Sequence, residues 1–455
     1  MMAGKGYIIM LNKADFSPTN LSPAQFLVLG YFIVISIGTF LLTLPKASTT
    51  GGSIGFLTAL FTATSATCVT GLIVVNTSTA FTVFGQVVIM VLIQIGGLGI
   101  MTMSTLIALI LGKKISLKER ILIQEDLNQF KISGLLRLIQ YVIALTLTIQ
   151  GIGAVLLFIR LRYDYSIIRS LYFSVFHAVS AFNNAGFDLF GTSLEGYFGD
   201  PIINLTVIAL IVLGGLGFAV IVELLGWEGK KKFSLQTKLV LTVTGLLTVV
   251  SFVIIFVLET GNINTIADAS IGEKIISSFF LSITPRTAGF NTIPTGALRS
   301  TTLFFIVIAM FIGASPGSTG GGIKTTTFGL IIVTAFNKIR NKKDIEFYER
   351  RVDYEIVFKA LTIILLALGI VLLMTFILTI TEDGQFLEIL FEVVSAFGTV
   401  GLSTGITGDL SSIGRVLIII TMFLGRVGPL TLALALGQKV RHGKYRYPQE
   451  KIMVG

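Results

Sequence analysis

Four short stretches that end in glycine are the residues of this sequence best suited to bind a cation. Residues 65–71 read SATCVTG, 180–186 read SAFNNAG, 283–289 read ITPRTAG and 395–401 read SAFGTVG. A phenylalanine stands ten residues before each final glycine, at Phe61, Phe176, Phe279 and Phe391. Because the stretches recur at intervals of about a hundred residues, they predict four copies of one structural unit.

The chemistry available at these stretches is coordination by backbone carbonyls. A ring of carbonyls can replace the hydration shell of a cation, and glycine adopts otherwise strained conformations while leaving no side chain in a pore. The predicted filter consists of each glycine and the two residues before it: Val69, Thr70, Gly71, Asn184, Ala185, Gly186, Thr287, Ala288, Gly289, Thr399, Val400 and Gly401. Glycines also serve as helix-packing points in membranes, but packing predicts neither the shared phenylalanine nor the same position in four units.

A second glycine-rich stretch, GASPGSTGGG at residues 313–322, interrupts an apolar run of more than thirty residues. Pro316 and five glycines in ten residues are incompatible with a continuous helix. The spacing of Gly317 and Gly322 resembles a phosphate-binding loop, but an isoleucine separates the second glycine from Lys324 and the flanks are apolar. Nucleotide binding is therefore not predicted. From these residues alone, a static helix break and a movable gate both remain open.

Basic side chains within apolar runs are costly in a membrane and are therefore functional candidates. Arg426, in the last apolar run, could pair with carbonyls freed by a helix break or with a carboxylate. Lys324 directly follows the glycine-rich stretch and could repel or relay a cation, or extend to the membrane surface. Arg286 lies inside the third glycine stretch. A cation facing the pore there would oppose cation entry, so we expect Arg286 to point behind the filter and brace it.

Four other ionisable residues lie close to the glycine stretches, and each allows two interpretations. Glu392 and His177 precede the fourth and second glycines on apolar segments, where they have satisfied structural roles or hydrogen-bond the filter backbone. Asp188 and Asp409 follow the second and fourth stretches. These two carboxylates either attract cations at an outer mouth or are solvated loop charges.

The composition indicates a protein that crosses a membrane several times. The 455 residues are 53% hydrophobic and 13% charged, whereas a soluble domain carries about 25% charged residues. The net charge of +10 could suggest nucleic acid, but the basic residues cluster in short loops between apolar runs. The single cysteine, Cys68, excludes an internal disulfide and a cysteine-based metal cage. With two histidines, no HExxH motif and no histidine near Ser318, no enzyme is predicted.

Each predicted unit contains a span, a half-helix, a glycine stretch and a second span. Twelve residues of helix cover about 18 Å, which is too short for a hydrocarbon core of about 30 Å, so the half-helices are expected to be re-entrant. Eight crossings in four parallel repeats follow, unlike the inverted repeats of many transporters. The predicted half-helices are 54–65, 169–181, 271–282 and 386–397, and the second spans of the four units are predicted at 81–111, 202–225, 303–336 and 413–436. The predicted units are 20–112, 132–228, 236–338 with the loop 313–322, and 353–437, followed by a tail at 438–455.

The basic residues predict the orientation of these units. Lysine and arginine cluster near both termini and in three loops, at residues 113–137, 230–238 and 338–351. By the positive-inside rule these loops and both termini are cytoplasmic, so the glycine stretches open to the outside. The N-terminal segment has too short an apolar core for a cleaved signal peptide.

With the fourfold glycine motif, the chain resembles the Trk/Ktr/HKT superfamily of cation transporters. Within it, residues 20–450 are most similar to the membrane subunits of bacterial Ktr potassium-uptake systems (KtrB or KtrD type). The resemblance implies an all-α fold of four M1-P-M2 repeats around one pseudo-fourfold pore, and K+ permeation through one filter glycine per repeat. Members with serine at the first glycine position tend to favour Na+, whereas all four positions are glycine here.

The resemblance also implies a gate and a partner. The gate would be an intramembrane loop acting with a basic residue of the last span: Gly313, Ser315, Pro316, Gly317, Ser318, Thr319, Gly320, Gly321, Gly322, Lys324 and Arg426. The protein would be a homodimer in the bacterial plasma membrane on a cytosolic RCK-type ring (KtrA or KtrC type) that binds ATP or ADP. No cofactor beyond the transported ion is expected in this chain. The alternatives are a Na+-selective or Na+-coupled transporter of the same fold, and a non-conducting membrane scaffold or sensor.

Overall fold

The computed structural model describes residues 23–99, 102–103, 135–227, 229, 232–429, 431, 448 and 450, and the regular secondary structure in these residues is almost entirely helical. Within them the only sheet is a hairpin of two antiparallel strands, β1 Ile345–Phe347 and β2 Arg350–Val352. The predicted helical fold is therefore confirmed, and the hairpin was not predicted. The predicted tail at 438–455 lies outside the described residues, except for positions 448 and 450. Most of the N-terminus and residues 113–134 of the first basic loop also lie outside them.

Among the residues that the structure describes, four helices are long and apolar enough to cross a membrane. Their outward faces are apolar and exposed, as at Phe40 and Phe376 (each 66% exposed), which suits contact with lipid. A helix of 25 residues, the length of the third, is about 37 Å long. These helices are α1 Pro23–Thr43, α5 Leu135–Leu161, α9 Leu235–Glu259 and α13 Tyr354–Thr381.

A shorter helix ends at each of the four glycine stretches. The first and last residues of each of these helices lie within three residues of the predicted half-helix bounds. The third and fourth begin with capping boxes, in which Ser270 pairs with Glu273 and Gln385 with Glu388. The first and fourth end because Val69 and Thr399 adopt left-handed conformations, with φ of 57° and 50°. These helices are α2 Phe56–Cys68, α6 Ile167–Phe182, α10 Ile271–Ile283 and α14 Phe386–Gly398.

In the second and third units the second apolar segment is not a continuous helix; the break in the third unit was predicted at 313–322, whereas the one in the second unit was not. The predicted span 202–225 bends by 103° between α7 Pro201–Gly215 and α8 Phe218–Leu225, where Gly217 has a φ of +92° that right-handed helix cannot accommodate. In the third unit the loop 313–322 separates α11 Ser300–Phe311 from α12 Thr325–Ile339. The described residues thus hold four long spans, or five if the bent pair is one span.

The first and last units contain the remaining short helices. The short helix α3 Thr77–Ala80 precedes α4 Val83–Leu98, and α15 Ser412–Val427 is the last helix that the structure describes. The predicted continuations of α4 to residue 111 and of α15 to residue 436 lie mostly outside the described residues.

The helices pack in a closed cycle. Each half-helix packs against the long helix before it, as α2 does against α1. The second helix of each unit then contacts the half-helix of the next unit, and the last unit closes on the first. The contacting pairs are α4 with α6, α7 with α10, α11 with α14, and α15 with α2. This arrangement brings the ends of the four half-helices together.

Candidate functional site

The four motif glycines form one ring in chain order. A Cβ atom added to Gly71 would lie 2.5 Å from the carbonyl oxygen of Ala185, and one added to Gly186 would lie 2.9 Å from that of Ala288. A Cβ on Gly289 would meet the carbonyl of Val400, and a Cβ on Gly401 that of Thr70, which closes the ring. Because each position faces the backbone of the next loop, no other residue fits without displacement.

The backbone of each loop alternates in handedness. All four glycines have positive φ, and so do the residues two positions before them, which are not glycine: Val69 (57°), Asn184 (58°), Thr287 (72°) and Thr399 (50°). Such a conformation costs roughly 1–2 kcal/mol for an ordinary residue, so the surrounding packing must impose it. The predicted residues between these positions, Thr70, Ala185, Ala288 and Val400, are fully buried.

Serines of the half-helices bind the N–H groups of these loops. The N–H of Thr70 donates to the Ser65 carbonyl at 2.8 Å, and the N–H of Gly71 donates to the Ser65 hydroxyl at 3.1 Å. Val400 and Gly401 repeat both bonds with Ser395 at the same distances. In the first and fourth loops these N–H donors are therefore bonded to the half-helix, which leaves carbonyls as the backbone polar groups available to a ligand.

The third copy is offset by one residue from the predicted alignment. Thr284 takes the place of the serine: the Ala288 N–H donates to its carbonyl at 3.0 Å, and its hydroxyl donates to the Phe290 carbonyl at 2.5 Å. The fully buried phenylalanine is Phe280, whereas Phe279 is only partly buried. The motif alignment that placed Phe279 at the shared position is therefore wrong in the third unit, because the helix there is one residue out of register.

The glycine-rich loop lies directly against the filter loops. The N–H of Gly313 donates to the Ile323 carbonyl at 2.8 Å, which closes the neck of the loop. The N–H of Gly321 donates to the Thr399 hydroxyl at 3.1 Å, and a Cβ on Gly320 would collide with the Thr287 hydroxyl. The loop thus contacts side chains that sit two positions before filter glycines.

The other side of the loop is fixed to the bent pair α7–α8. The N–H of Ser315 donates to the Gly215 carbonyl at 3.0 Å, and the Gly317 carbonyl accepts from the Phe218 N–H at 2.9 Å. The Ser318 hydroxyl donates to the Ser315 carbonyl at 2.6 Å. A Cβ on Gly217 would lie 2.6 Å from the Pro316 carbonyl. Gly322, the last residue of the loop, has a φ of +65°.

Arg426 joins three parts of the chain. Its guanidinium donates to the Thr319 carbonyl of the loop at 2.5 Å, to the Gly96 carbonyl of α4, and to the Tyr31 hydroxyl of α1 at 3.2 Å. Lys324 donates to the Gly320 carbonyl at 2.8 Å. Arg426 therefore pairs with backbone carbonyls, as one of the two predicted alternatives stated, and it makes no ion pair among the described residues.

Arg286 and Glu392 form hydrogen bonds with segments next to the glycine loops. The guanidinium of Arg286 donates to the Thr244 carbonyl at 3.5 Å and borders a small cavity shared with residues of α7 and of the glycine-rich loop. Glu392 is 1% exposed and accepts from the hydroxyls of Ser403 at 2.8 Å and Thr407 at 2.5 Å. Glu392 is thus placed to brace the segment that follows the fourth glycine, whereas Arg286 contacts a carbonyl of α9.

His177 and Asp188 bind the backbone beyond the second glycine. The Nδ1–H of His177 donates to the Phe173 carbonyl at 2.7 Å, and its Nε2 accepts from the Leu189 N–H at 3.2 Å. Asp188 is 8% exposed and accepts from the Gly191 N–H at 2.6 Å, so it is a turn-forming residue. Asp409 is exposed.

A second set of glycines was missed by the sequence analysis. A Cβ on Gly96, Gly214 or Gly425 would collide with a carbonyl oxygen four residues before a filter glycine, at Thr67, Phe182 and Phe397 respectively. The available signal was a repeated tetrapeptide: GGLG at 96–99 and at 214–217, and GRVG at 425–428. Arg426 is the second residue of this tetrapeptide in the fourth unit, where the first two units have Gly97 and Gly215. Tyr31 was also missed, because its aromatic type does not distinguish it within an apolar helix.

Comparison with known proteins gives consistent similarities. The family profile described as "TrkH: Cation transport protein" matches residues 22–446. The chain is 46% identical over 434 residues to the Ktr system potassium uptake protein B of Bacillus subtilis (strain 168), which covers 95% of this chain and 97% of the relative. It is 40% identical over 441 residues to the potassium/sodium uptake protein NtpJ of Enterococcus hirae, with 96% and 98% covered.

A solved structure has the same fold. The crystal structure of the potassium transporter TrkH from Vibrio parahaemolyticus superposes with a TM-score of 0.74 and covers 93% of this chain and 86% of that one. The two sequences are 18% identical, so this likeness concerns the fold alone.

Proposed function

The chain belongs to the TrkH family of cation transport proteins, and from this premise we propose that it is the pore-forming subunit of a bacterial potassium-uptake system. Proteins of this family transport cations and are not enzymes. The names of relatives that match nearly the whole chain, a potassium uptake protein and a potassium/sodium uptake protein, support potassium as the transported ion.

The observation that carries the proposal is the closed ring of Gly71, Gly186, Gly289 and Gly401. A ring of four such loops can offer carbonyls to a partly dehydrated cation, and in the first and fourth loops the glycine N–H is bonded to a half-helix serine. The half-helices end at this ring, so the negative ends of their dipoles favour a cation beside it. The proposed K+ site therefore consists of the carbonyls of the four glycines and of the two residues before each.

The proposed topology has four M1-P-M2 repeats and eight crossings. The bent and interrupted second segments count as one crossing each, since their breaks are buried against neighbouring loops and need no lipid contact. The positive-inside rule orients both termini and the basic loops to the cytoplasm in this proposal.

The proposed gate is the loop 313–322 with Lys324 and Arg426. Bonds to the loop from Arg426 and Thr399 support a closed position beneath the filter. Deletion of residues 314–321 tests this role, because Gly313 and Ile323 are already hydrogen-bonded at the neck and the shortened chain can rejoin. K+ flux through the deleted form is expected to exceed that of the intact chain, and a lower flux from a folded protein would contradict the gate.

The proposed assembly is a homodimer that rests on a cytosolic RCK-type ring, which binds ATP or ADP. Relatives named as components of Ktr systems support a multicomponent transporter. The hairpin β1–β2 and the basic residues around it, such as Lys343 and Arg350, offer a surface for this ring on the cytoplasmic side.

The central test compares two glycines that share the backbone strain but differ in surroundings. Gly401 has a φ of +92° and would direct a Cβ at the Thr70 carbonyl, whereas Gly405 has a φ of +117° and nothing within 4 Å of its Cβ position. In liposomes, the intact chain is expected to carry K+ in preference to Na+. Gly401→Ser should lose this preference and Gly405→Ser should keep it.

The outcomes distinguish the alternatives. Equal selectivity in the two serine variants would contradict the glycine ring. Flux of Na+ above K+ in the intact chain would favour a Na+ transporter, an alternative that the name of the Enterococcus hirae relative supports. No flux with or without an added cytosolic ring would favour a non-conducting scaffold.

A further inference from the structure

A cavity of about 270 Å³ borders the glycine-rich loop, and none of the predicted filter residues lines it. Its walls come from α1, α13, the end of α15 and the loop itself, and three basic side chains line it: Lys324, Lys359 and Arg426. The volume is far larger than the roughly 15 Å³ that one water needs. The cavity can therefore hold a polyatomic ligand.

The lining carries positive charge without a counter-charge. Among the described residues that line the cavity, none is aspartate or glutamate. Arg426 and Lys324 donate to carbonyls, which satisfy hydrogen bonds but leave the charge uncompensated. Lys359 is exposed and takes part in none of the ion pairs found in the described part of the chain.

Positive walls are unfavourable for the transport that we propose. A cation that leaves the filter past the open loop would meet three like charges in a partly enclosed space, where screening by water is weak. An anion bound in this cavity would offset that repulsion. The chemistry of the walls is that of a phosphate site, since lysine and arginine are the side chains that bind phosphate oxygens.

The position of the cavity also matches that of a lipid headgroup. Leu27 and Lys359 both line it, and both lie within six residues of the start of their long helices, α1 and α13. Next to them, Phe26 and Phe358 are exposed apolar residues, at 37% and 66%, that could border acyl chains. Basic pockets between transmembrane helices on the cytoplasmic side bind anionic headgroups.

We propose that this cavity binds a phosphate-bearing anion, either the headgroup of an anionic lipid or free phosphate, through Lys324, Lys359 and Arg426. The lipid side of the proposal uses the orientation given above. Binding itself is measured without ion flux, so its failure and a failure of the transport function are separate results.

The test measures binding to the purified full-length chain in neutral detergent by native mass spectrometry. The probes are short-chain phosphatidylglycerol, short-chain phosphatidylcholine as the zwitterionic control, and inorganic phosphate as competitor. Lys359→Gln removes one wall charge outside the proposed gate, and Lys232→Gln removes one exposed charge that does not line the cavity. Lys359→Gln is expected to weaken phosphatidylglycerol binding about fivefold, while Lys232→Gln should leave it unchanged.

Each result decides the proposal. Phosphatidylglycerol binding that depends on Lys359 and resists phosphate identifies the lipid headgroup as the ligand. Phosphate binding that depends on Lys359, with displacement of the lipid, identifies the free anion. The proposal is overturned by equal binding of phosphatidylcholine and phosphatidylglycerol, by no binding of either anion, or by equal losses in the two lysine variants.

Discussion

The hydroxyl of Thr399 accepts a hydrogen bond from the N–H of Gly321 at 3.1 Å. This bond joins the fourth glycine loop to the glycine-rich loop across 78 positions of sequence. Both groups are buried, so water cannot replace either partner when the bond is lost. The bond thereby connects the glycine-rich loop directly to a residue two positions before a motif glycine.

Thr399→Val tests this link, because valine keeps the shape and removes the acceptor. A buried N–H left without a partner costs roughly 1 kcal/mol or more, which corresponds to about a fivefold shift in an equilibrium. If the loop gates the pore, the closed position loses this stabilisation and K+ flux in liposomes should rise about fivefold.

Thr375→Val is the matched control for this prediction. Thr375 is buried in α13, and its hydroxyl has no hydrogen-bond partner among the described residues. Its replacement should leave flux unchanged. A folded Thr399→Val protein with unaltered flux would show that the bond does not hold the loop closed.

Substitution of Arg426 should raise flux more strongly. Its guanidinium binds the loop, α4 and α1 at once, and hydrogen bonds to charged groups contribute about 1.5–3 kcal/mol each. We expect Arg426→Gln to raise K+ flux more than tenfold and Arg426→Lys to have an intermediate effect, because an ammonium group cannot bridge three acceptors in one plane.

Arg415→Gln provides the control on the same helix. Arg415 donates to the carbonyls of Leu410 and Gly408, each at 3.0 Å, and touches no part of the glycine-rich loop. K+ flux through the Arg415→Gln variant should equal that through the intact chain. If Arg426→Gln and Arg415→Gln behave alike, Arg426 does not stabilise the closed loop.

The second glycine set predicts a stability difference between two glycine-to-alanine changes. A Cβ on Gly214 would overlap the Phe182 carbonyl, whereas Gly151 has nothing within 4 Å. Gly214→Ala should lower the free energy of unfolding by about 1–3 kcal/mol, and Gly151→Ala should be neutral or stabilising by up to about 1 kcal/mol. Thermal unfolding in detergent measures both, and equal midpoints would contradict the close helix packing.

Substitution of Glu259, a buried carboxylate outside the filter, should lower the stability of the protein. This residue is 0% exposed and accepts from the hydroxyl of Thr302 at 2.5 Å and of Thr265 at 2.8 Å, and from the amide of Asn262 at 2.7 Å. Glu259→Gln turns one acceptor into a donor that faces other donors. The free energy of unfolding should fall by about 1–3 kcal/mol, measured by thermal unfolding.

Glu346→Gln serves as the comparison for Glu259. Glu346 pairs with Lys342 at 2.8 Å, but both side chains are about half exposed, so this surface pair contributes at most about 1 kcal/mol. The midpoint of thermal unfolding of the Glu346→Gln variant should therefore be close to that of the unchanged protein. A larger shift for Glu346→Gln than for Glu259→Gln would mean that the buried network is not stabilising.

The sequence by itself determined the class of protein, the half-helices and the break at 313–322. Apolar runs require a membrane or a core, and α6 and α14 fall within two residues of the predicted bounds. Glycine and proline at 313–322 had to interrupt a helix because of local backbone sterics. These features depend on neighbours in sequence, so sequence patterns contain them.

Only the tertiary structure decided which groups meet. The order of the glycine ring, the one-residue offset at Thr284 and the bend at Gly217 each depend on packing between units. Arg426 reaches Tyr31 across 395 positions, and no local pattern specifies such a partner. Contacts of this range are selected by the complementary shapes of packed helices, which a single sequence does not display.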